Sequence, residues 1–265
     1  MTTTARPKRV GNPEGKMTLG QHLVELRKRL TLIALGIVVG SVAGWFLSSF
    51  IWDAMSTPVH EIANARHASI NYPNITAAFD LRLQVTIYTG IVISSPLWLY
   101  EIFAFLVPGL TGKEKRYTFG FFFTAVPLFL AGCAAGWFVL PHIVGLLTSF
   151  APDGDKTLLN ASDYFSFVLK LVLAIGIAFV LPVFIVLLNF IGILKATAIL
   201  KAWRIALVVI LLFTAIATPS ADVVSMFLLA VPLVVLYFAS AGVAWLHDRR
   251  VAKRAFDVEA ELSGS

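Results

Sequence analysis

Apolar runs long enough to cross a lipid bilayer recur along this chain, and they leave it few ways to fold. About 20 apolar residues in a helix span roughly 30 Å of hydrocarbon. Such runs cover 30–52, 83–106, 119–140 and 164–191, and shorter ones follow at 205–217 and 226–246. Only 14% of the residues are charged and 58% are hydrophobic, where a soluble domain carries about 25% charged residues. The expectation is an all-α polytopic membrane protein with six transmembrane helices. The run at 205–217 is short for a full crossing and implies local thinning of the bilayer.

The segments between the runs set the organisation. Residues 1–20 are basic and contain Pro, Gly and Thr, without the apolar core of a cleaved signal peptide. They are expected to form a disordered tail, followed by a membrane domain over 21–246 and a C-terminal tail over 247–265. The first long polar segment, 53–81, has an amphipathic part at 55–65 expected to lie along the interface. The second, 142–163, carries the turn signal Pro152-Asp153-Gly154-Asp155. Pro96 and Pro127 fall inside the second and third spans, and Pro182 predicts a break or kink in the fourth.

Orientation follows from the cations. With six spans, 17 of the 21 Lys and Arg fall on the side of the termini, and Arg66, Arg82, Lys156 and Lys170 on the other. The positive-inside rule then places both the N- and C-termini in the cytoplasm.

Several functions are disfavoured. A solute carrier or proton channel needs ionisable groups at mid-membrane, where each costs about 2.5–3.5 kcal/mol on insertion scales; here Glu101 and Lys170 sit near span ends. The histidines, at 22, 60, 67, 142 and 247, lie at ends or in loops. No metal-ligand spacing, intramembrane protease constellation or P-loop is present, so neither an enzyme nor a cofactor is expected. Cys133 is the single cysteine, which precludes an internal disulfide. The basic residues flank membrane spans, so the net charge of +6 does not imply nucleic acid. Recognition on the cytoplasmic face is what remains.

That face carries His22-Leu-Val-Glu25-Leu-Arg27-Lys-Arg29-Leu30, a charged amphipathic stretch running straight into the first span. Glu101 and Lys113-Glu114-Lys115-Arg116 form a second acidic and basic knot on the same side. Two carboxylates on a rigid surface suit a ligand with two guanidinium groups, each a planar fork for bidentate bonding. Phe105 could add apolar contact. The alternative is local neutralisation, of Glu25 by Arg29 and of Glu114 by Lys113 and Lys115.

The His22-Leu-x-Glu25-Leu-Arg27-x-Arg29 motif resembles the N-terminal signature of the TatC family, core subunits of the twin-arginine protein translocase. The block from Tyr100-Glu101 through Phe105, Pro108 and Glu114-Lys-Arg116 resembles its first cytoplasmic loop. Further matches run from Tyr164 to Pro182-Val and from Thr218-Pro219-x-x-Asp222 to Pro232, in the same order. The resemblance implies a cupped six-helix bundle in the bacterial plasma membrane, receiving folded proteins with Arg-Arg signal peptides. It implies that Glu25 and Glu114 bind the paired arginines, while Arg27, Phe105, Pro108 and Arg116 shape the site around them, with Glu101 beside it. It further implies docking of single-span TatA- and TatB-type subunits at Thr218, Pro219 and Asp222. The implied assembly is a multimeric complex among membrane lipid, powered by the proton-motive force. Many members carry membrane-embedded glutamates where this chain has Val180 and Phe238, which weakens any proton-relay role for this subunit.

Overall fold

The computed structural model describes residues 19–66, 69–72, 74–106, 112–149, 158–217 and 223–263. The chain runs α1 (Leu19–Arg66), β1 (Ser69–Asn71), α2 (Ala77–Ile93), α3 (Ser95–Leu106), α4 (Gly112–Ser149), β2 (Leu158–Asn160), α5 (Ala161–Phe190), α6 (Ala196–Lys201), α7 (Trp203–Ala217) and α8 (Val223–Ser263). Parts of α1, α4, α5 and α8 are each long and apolar enough to cross a membrane, and the bent pair α2–α3 makes a fifth candidate. The shorter α7 is apolar as well.

Two helix pairs form the frame, and glycine sets their closeness. Gly36, Gly40 and Gly44 recur every fourth residue, so they line one stripe of α1. A Cβ on Gly40 would stand 2.5 Å from the Gly90 carbonyl oxygen, and one on Gly44 would stand 2.6 Å from that of Thr86. The α1 and α2 backbones therefore touch. The α4–α5 pair uses the same device: a Cβ on Gly132 would meet Cα of Gly176 at 2.9 Å. In lipid, where apolar contact alone gives no preference for protein over solvent, such close approach supplies the packing that holds helices together.

Proline explains the bend between α2 and α3, which turn by 57°. Pro96 has no N–H for the carbonyl of Val92 four residues back, and its ring crowds that turn. The helix therefore stops at Ser94. The indole Nε1 of Trp98 donates to the Ile91 carbonyl at 2.9 Å, which keeps a polar group at the bend satisfied. Trp98→Phe removes that donor. Its expected cost is about 1 kcal/mol, read as a fall of about 2–4 °C in the unfolding midpoint in detergent; no shift would mean that the Ser94 hydroxyl, which donates to the same carbonyl at 3.3 Å, suffices alone. Pro182, by contrast, lies buried in an α5 that continues from Ala161 to Phe190, so the expected break there is absent.

The structure adds helical continuity to two of the polar segments. Residues 55–65 continue α1 to Arg66. The tail expected from His247 continues α8 as helix to Ser263. Both segments keep helical periodicity beyond the point where their apolar character fades, and helical hydrogen bonding does not require an apolar side chain. The expected tail at 1–20 lies outside the described residues except for its last two positions.

β1 and β2 pair in parallel, with Ser69 opposite Leu158 and Asn71 opposite Asn160. This ladder joins the two long polar segments, neither of which shows strand-like alternation. Asn160 then caps α5, its side chain accepting from Ser162 N at 3.0 Å. Beneath the ladder, Met55, Leu81, Val85, Leu140, Phe165 and Val168 form one core cluster. Ser166 Oγ donates to Gln84 Oε1 at 2.7 Å, tying α5 to α2. Toward the other end, Leu99, Phe103, Phe129, Val180 and Leu187 pack together. A recess of about 480 Å³ among α1, α2, α4 and α5 is lined by apolar side chains that include Phe50, Met55, Trp137 and Leu169.

Candidate functional site

The start of α1 lies against the end of α3. His22, Glu25 and Arg29 sit at i, i+3 and i+7, one stripe of α1 that continues into the glycine stripe. Glu101 and Phe105 sit at i and i+4 on α3 and share its facing side. The rings of His22 and Phe105 stack with centroids 4.5 Å apart.

Arg29 bridges two carboxylates. Its Nε and Nη2 donate to Glu25 Oε1 at 3.0 and 2.6 Å, and its Nη1 donates to Glu101 Oε2 at 2.9 Å. The side chains of Arg29, Glu25 and Glu101 are 21%, 20% and 13% exposed, so the cluster is shielded but open to one side. Two carboxylates and one guanidinium leave a formal charge of −1. Glu25 Oε2 is buried and has no hydrogen-bond partner among the described residues. An unmet buried acceptor on a charged group is costly, and a donor reaching it would recover that cost.

The expected site residues divide four ways. Glu25, Glu101 and Phe105 are brought together. Arg27 is exposed and lies two residues from Glu25, on a different face of α1. Glu114 and Arg116 belong to the first turn and a half of α4, and the positions of their side chains lie outside the description. Pro108, Thr218, Pro219 and Asp222 lie outside the described residues. Local neutralisation of Glu25 by Arg29 is real, but it is only half of the arrangement. The sequence reading missed that Arg29 also reaches Glu101, 72 residues on. The shared stripe of His22, Glu25, Arg29 and the glycines was the available signal.

Comparison with known proteins gives the family. The family model for the Sec-independent protein translocase protein (TatC) matches residues 21–232. The chain belongs to the TatC family. A TatC of Xylanimonas cellulosilytica is 43% identical over 241 residues, covering 90% of this chain and 87% of that protein. The TatCy protein of Bacillus subtilis is 31% identical, covering 90% of this chain and 92% of its own length. A crystal structure of the twin-arginine translocase receptor TatC in DDM superposes with a TM-score of 0.73 at 27% identity, over 84% of this chain and 99% of that one.

As a TatC the chain is a multi-pass membrane protein and a component of the Sec-independent protein translocase. At the two positions that the sequence resemblance matched to embedded glutamates, Val180 is 3% exposed within the Phe103–Phe129 cluster and Phe238 is 44% exposed. A carboxylate at Val180 would be desolvated; here the position is plain core.

Proposed function

We propose that this TatC is the receptor subunit that captures Arg-Arg signal peptides of folded proteins at its cytoplasmic face. The bridged carboxylates carry the reading: Arg29 demonstrates that Glu25 and Glu101 accept a guanidinium, and Glu25 Oε2 is left for another. One arginine of the signal would take that oxygen. Glu114, at the start of α4 just beyond the α3 end that carries Phe105, would take the second. Phe105 would lie against the peptide, and Arg27, Pro108 and Arg116 would shape the surroundings.

In this reading the chain makes six crossings, by α1, α2–α3, α4, α5, α7 and α8, with both termini in the cytoplasm of a bacterial plasma membrane. At 15 residues, α7 spans about 22 Å, short of the hydrocarbon thickness. The turn at Thr218, Pro219 and Asp222, between α7 and α8, would dock TatA- and TatB-type single-span subunits, and export would draw on the proton-motive force.

The test is photocrosslinking of an Arg-Arg signal peptide to the protein in membranes. Hydrogen bonds to charged groups contribute about 1.5–3 kcal/mol, so Glu25→Ala and Glu114→Ala are each expected to cut crosslinking about 10- to 100-fold. A Lys-Lys peptide gives only the background signal throughout. Normal crosslinking and export by both variants would remove the assignment.

A further inference from the structure

The extension of α8 past its apolar run builds a second charged feature, remote in sequence from the Glu25 cluster. Val243, His247, Arg250 and Arg254 follow one another at three or four residues, so they line one face of α8. Together with Phe190 at the end of α5 and Val251 they wall a recess of about 250 Å³. Its floor is fixed on both sides. The His247 ring stacks on Phe190 with centroids 3.9 Å apart, and Asp248 reaches away from the recess to clamp the α5–α6 connection. Asp248 Oδ2 accepts from Ala196 N at 2.8 Å, and its Oδ1 accepts from Asn189 Nδ2 at 2.9 Å. Arg250 and Arg254 are exposed, and neither has a carboxylate partner among the described residues. His247 Nδ1 is buried with no hydrogen-bond partner among the described residues, 3.7 Å from Asp248 Oδ1.

We propose that this recess holds the headgroup of an anionic phospholipid. The apolar part of the wall, at Val243, belongs to the membrane-spanning part of α8. Arg250 lies seven residues further along, about 10 Å, where a phosphate stands above its acyl chains. Two unpaired guanidinium groups at i and i+4 present forks to one phosphate from the same side. Arg249, Arg250, Lys253 and Arg254 form a juxtamembrane basic cluster of the kind that attracts anionic leaflets, and the helix turns acidic only from Asp257. The occupant that fits both halves is a lipid: a free phosphate ion would leave the apolar wall unused. Bound there, the lipid would brace the clamp that Asp248 makes between α8 and the α5–α6 connection.

The test compares Arg250→Gln/Arg254→Gln with Arg249→Gln/Lys253→Gln, which removes the same charge from other faces of the helix. Each protein is purified in nanodiscs of phosphatidylglycerol and phosphatidylcholine, and retained lipid is counted by native mass spectrometry after detergent exchange. The wild type and the Arg249/Lys253 variant are expected to retain one phosphatidylglycerol. The Arg250/Arg254 variant is expected to bind it about 30-fold more weakly, from about 1 kcal/mol per cation near the surface. Equal retention by all three proteins overturns the site. Equal loss in both variants also overturns it, by reducing the effect to overall surface charge. Release of the lipid by millimolar glycerophosphate would overturn the need for acyl chains.

Discussion

Gly40→Leu is expected to yield no monodisperse protein in detergent and no export. The added Cβ alone would fall 2.5 Å from the Gly90 carbonyl oxygen and 3.3 Å from its Cα. Overpacking a core whose side chains can shift costs about 1–3 kcal/mol. Here the obstruction is the backbone of α2, so the helices must separate and the whole stripe from Gly36 to Gly44 loses contact. A graded series makes the test sharp. Gly90→Ala, whose Cβ would meet Ser41 N at 2.5 Å, should behave like Gly40→Leu. Gly36→Ala should be tolerated, because it meets only the movable Cδ2 of Leu97 at 2.7 Å, and Gly242→Ala, with open space around it, should be silent. Size-exclusion profiles and yields across the four variants give the readout. A well-behaved Gly40→Leu protein would show that α1 and α2 are not held in backbone contact.

Arg29→Gln is expected to lower the unfolding midpoint by about 4–8 °C, equivalent to about 2 kcal/mol in a chain of this size. Removing one partner from a buried charge pair costs about 3–5 kcal/mol; the cluster is partly solvated, with Glu101 13% exposed and the other two side chains about a fifth, which reduces the figure. The loss has a specific origin, two carboxylates left facing each other without their bridge. Adding Glu101→Gln to the Arg29→Gln protein removes that repulsion and should recover more than half of the shift. Arg29→Lys should fall between, because one ammonium cannot reproduce three directed bonds from a planar fork. If the second substitution recovers nothing, the carboxylates do not share one cation.

Much of the architecture was legible in residue order because membrane insertion is a coarse selection on apolar length. The runs at 30–52 and 119–140 lie within α1 and α4, and the run at 164–191 ends one residue past α5. Pro96 was visible inside the second span but not distinguished from Pro127 in the third; its missing N–H accounts for the bend. What residue order hid depended on distance in space. The Glu25–Arg29 pair is local and was visible; the bond from Arg29 to Glu101 needs α3 to lie beside α1, which only the bend at Ser94 arranges. The glycines of α1 read as ordinary components of an apolar run until the α2 backbone is seen against them. Asp248 looked like one charge in a polar tail, since nothing nearby in sequence shows that it caps α6, 52 residues earlier.

The short parallel ladder between Ser69–Asn71 and Leu158–Asn160 acts as a checksum on topogenesis. Its strands come from stretches separated by α2, α3 and α4, and they can meet only if both stretches emerge into the same aqueous compartment. Had either helix pair been threaded upside down, about 30 Å of hydrocarbon would keep the strands apart. A few hydrogen bonds thus report whether the preceding segments were delivered the right way up.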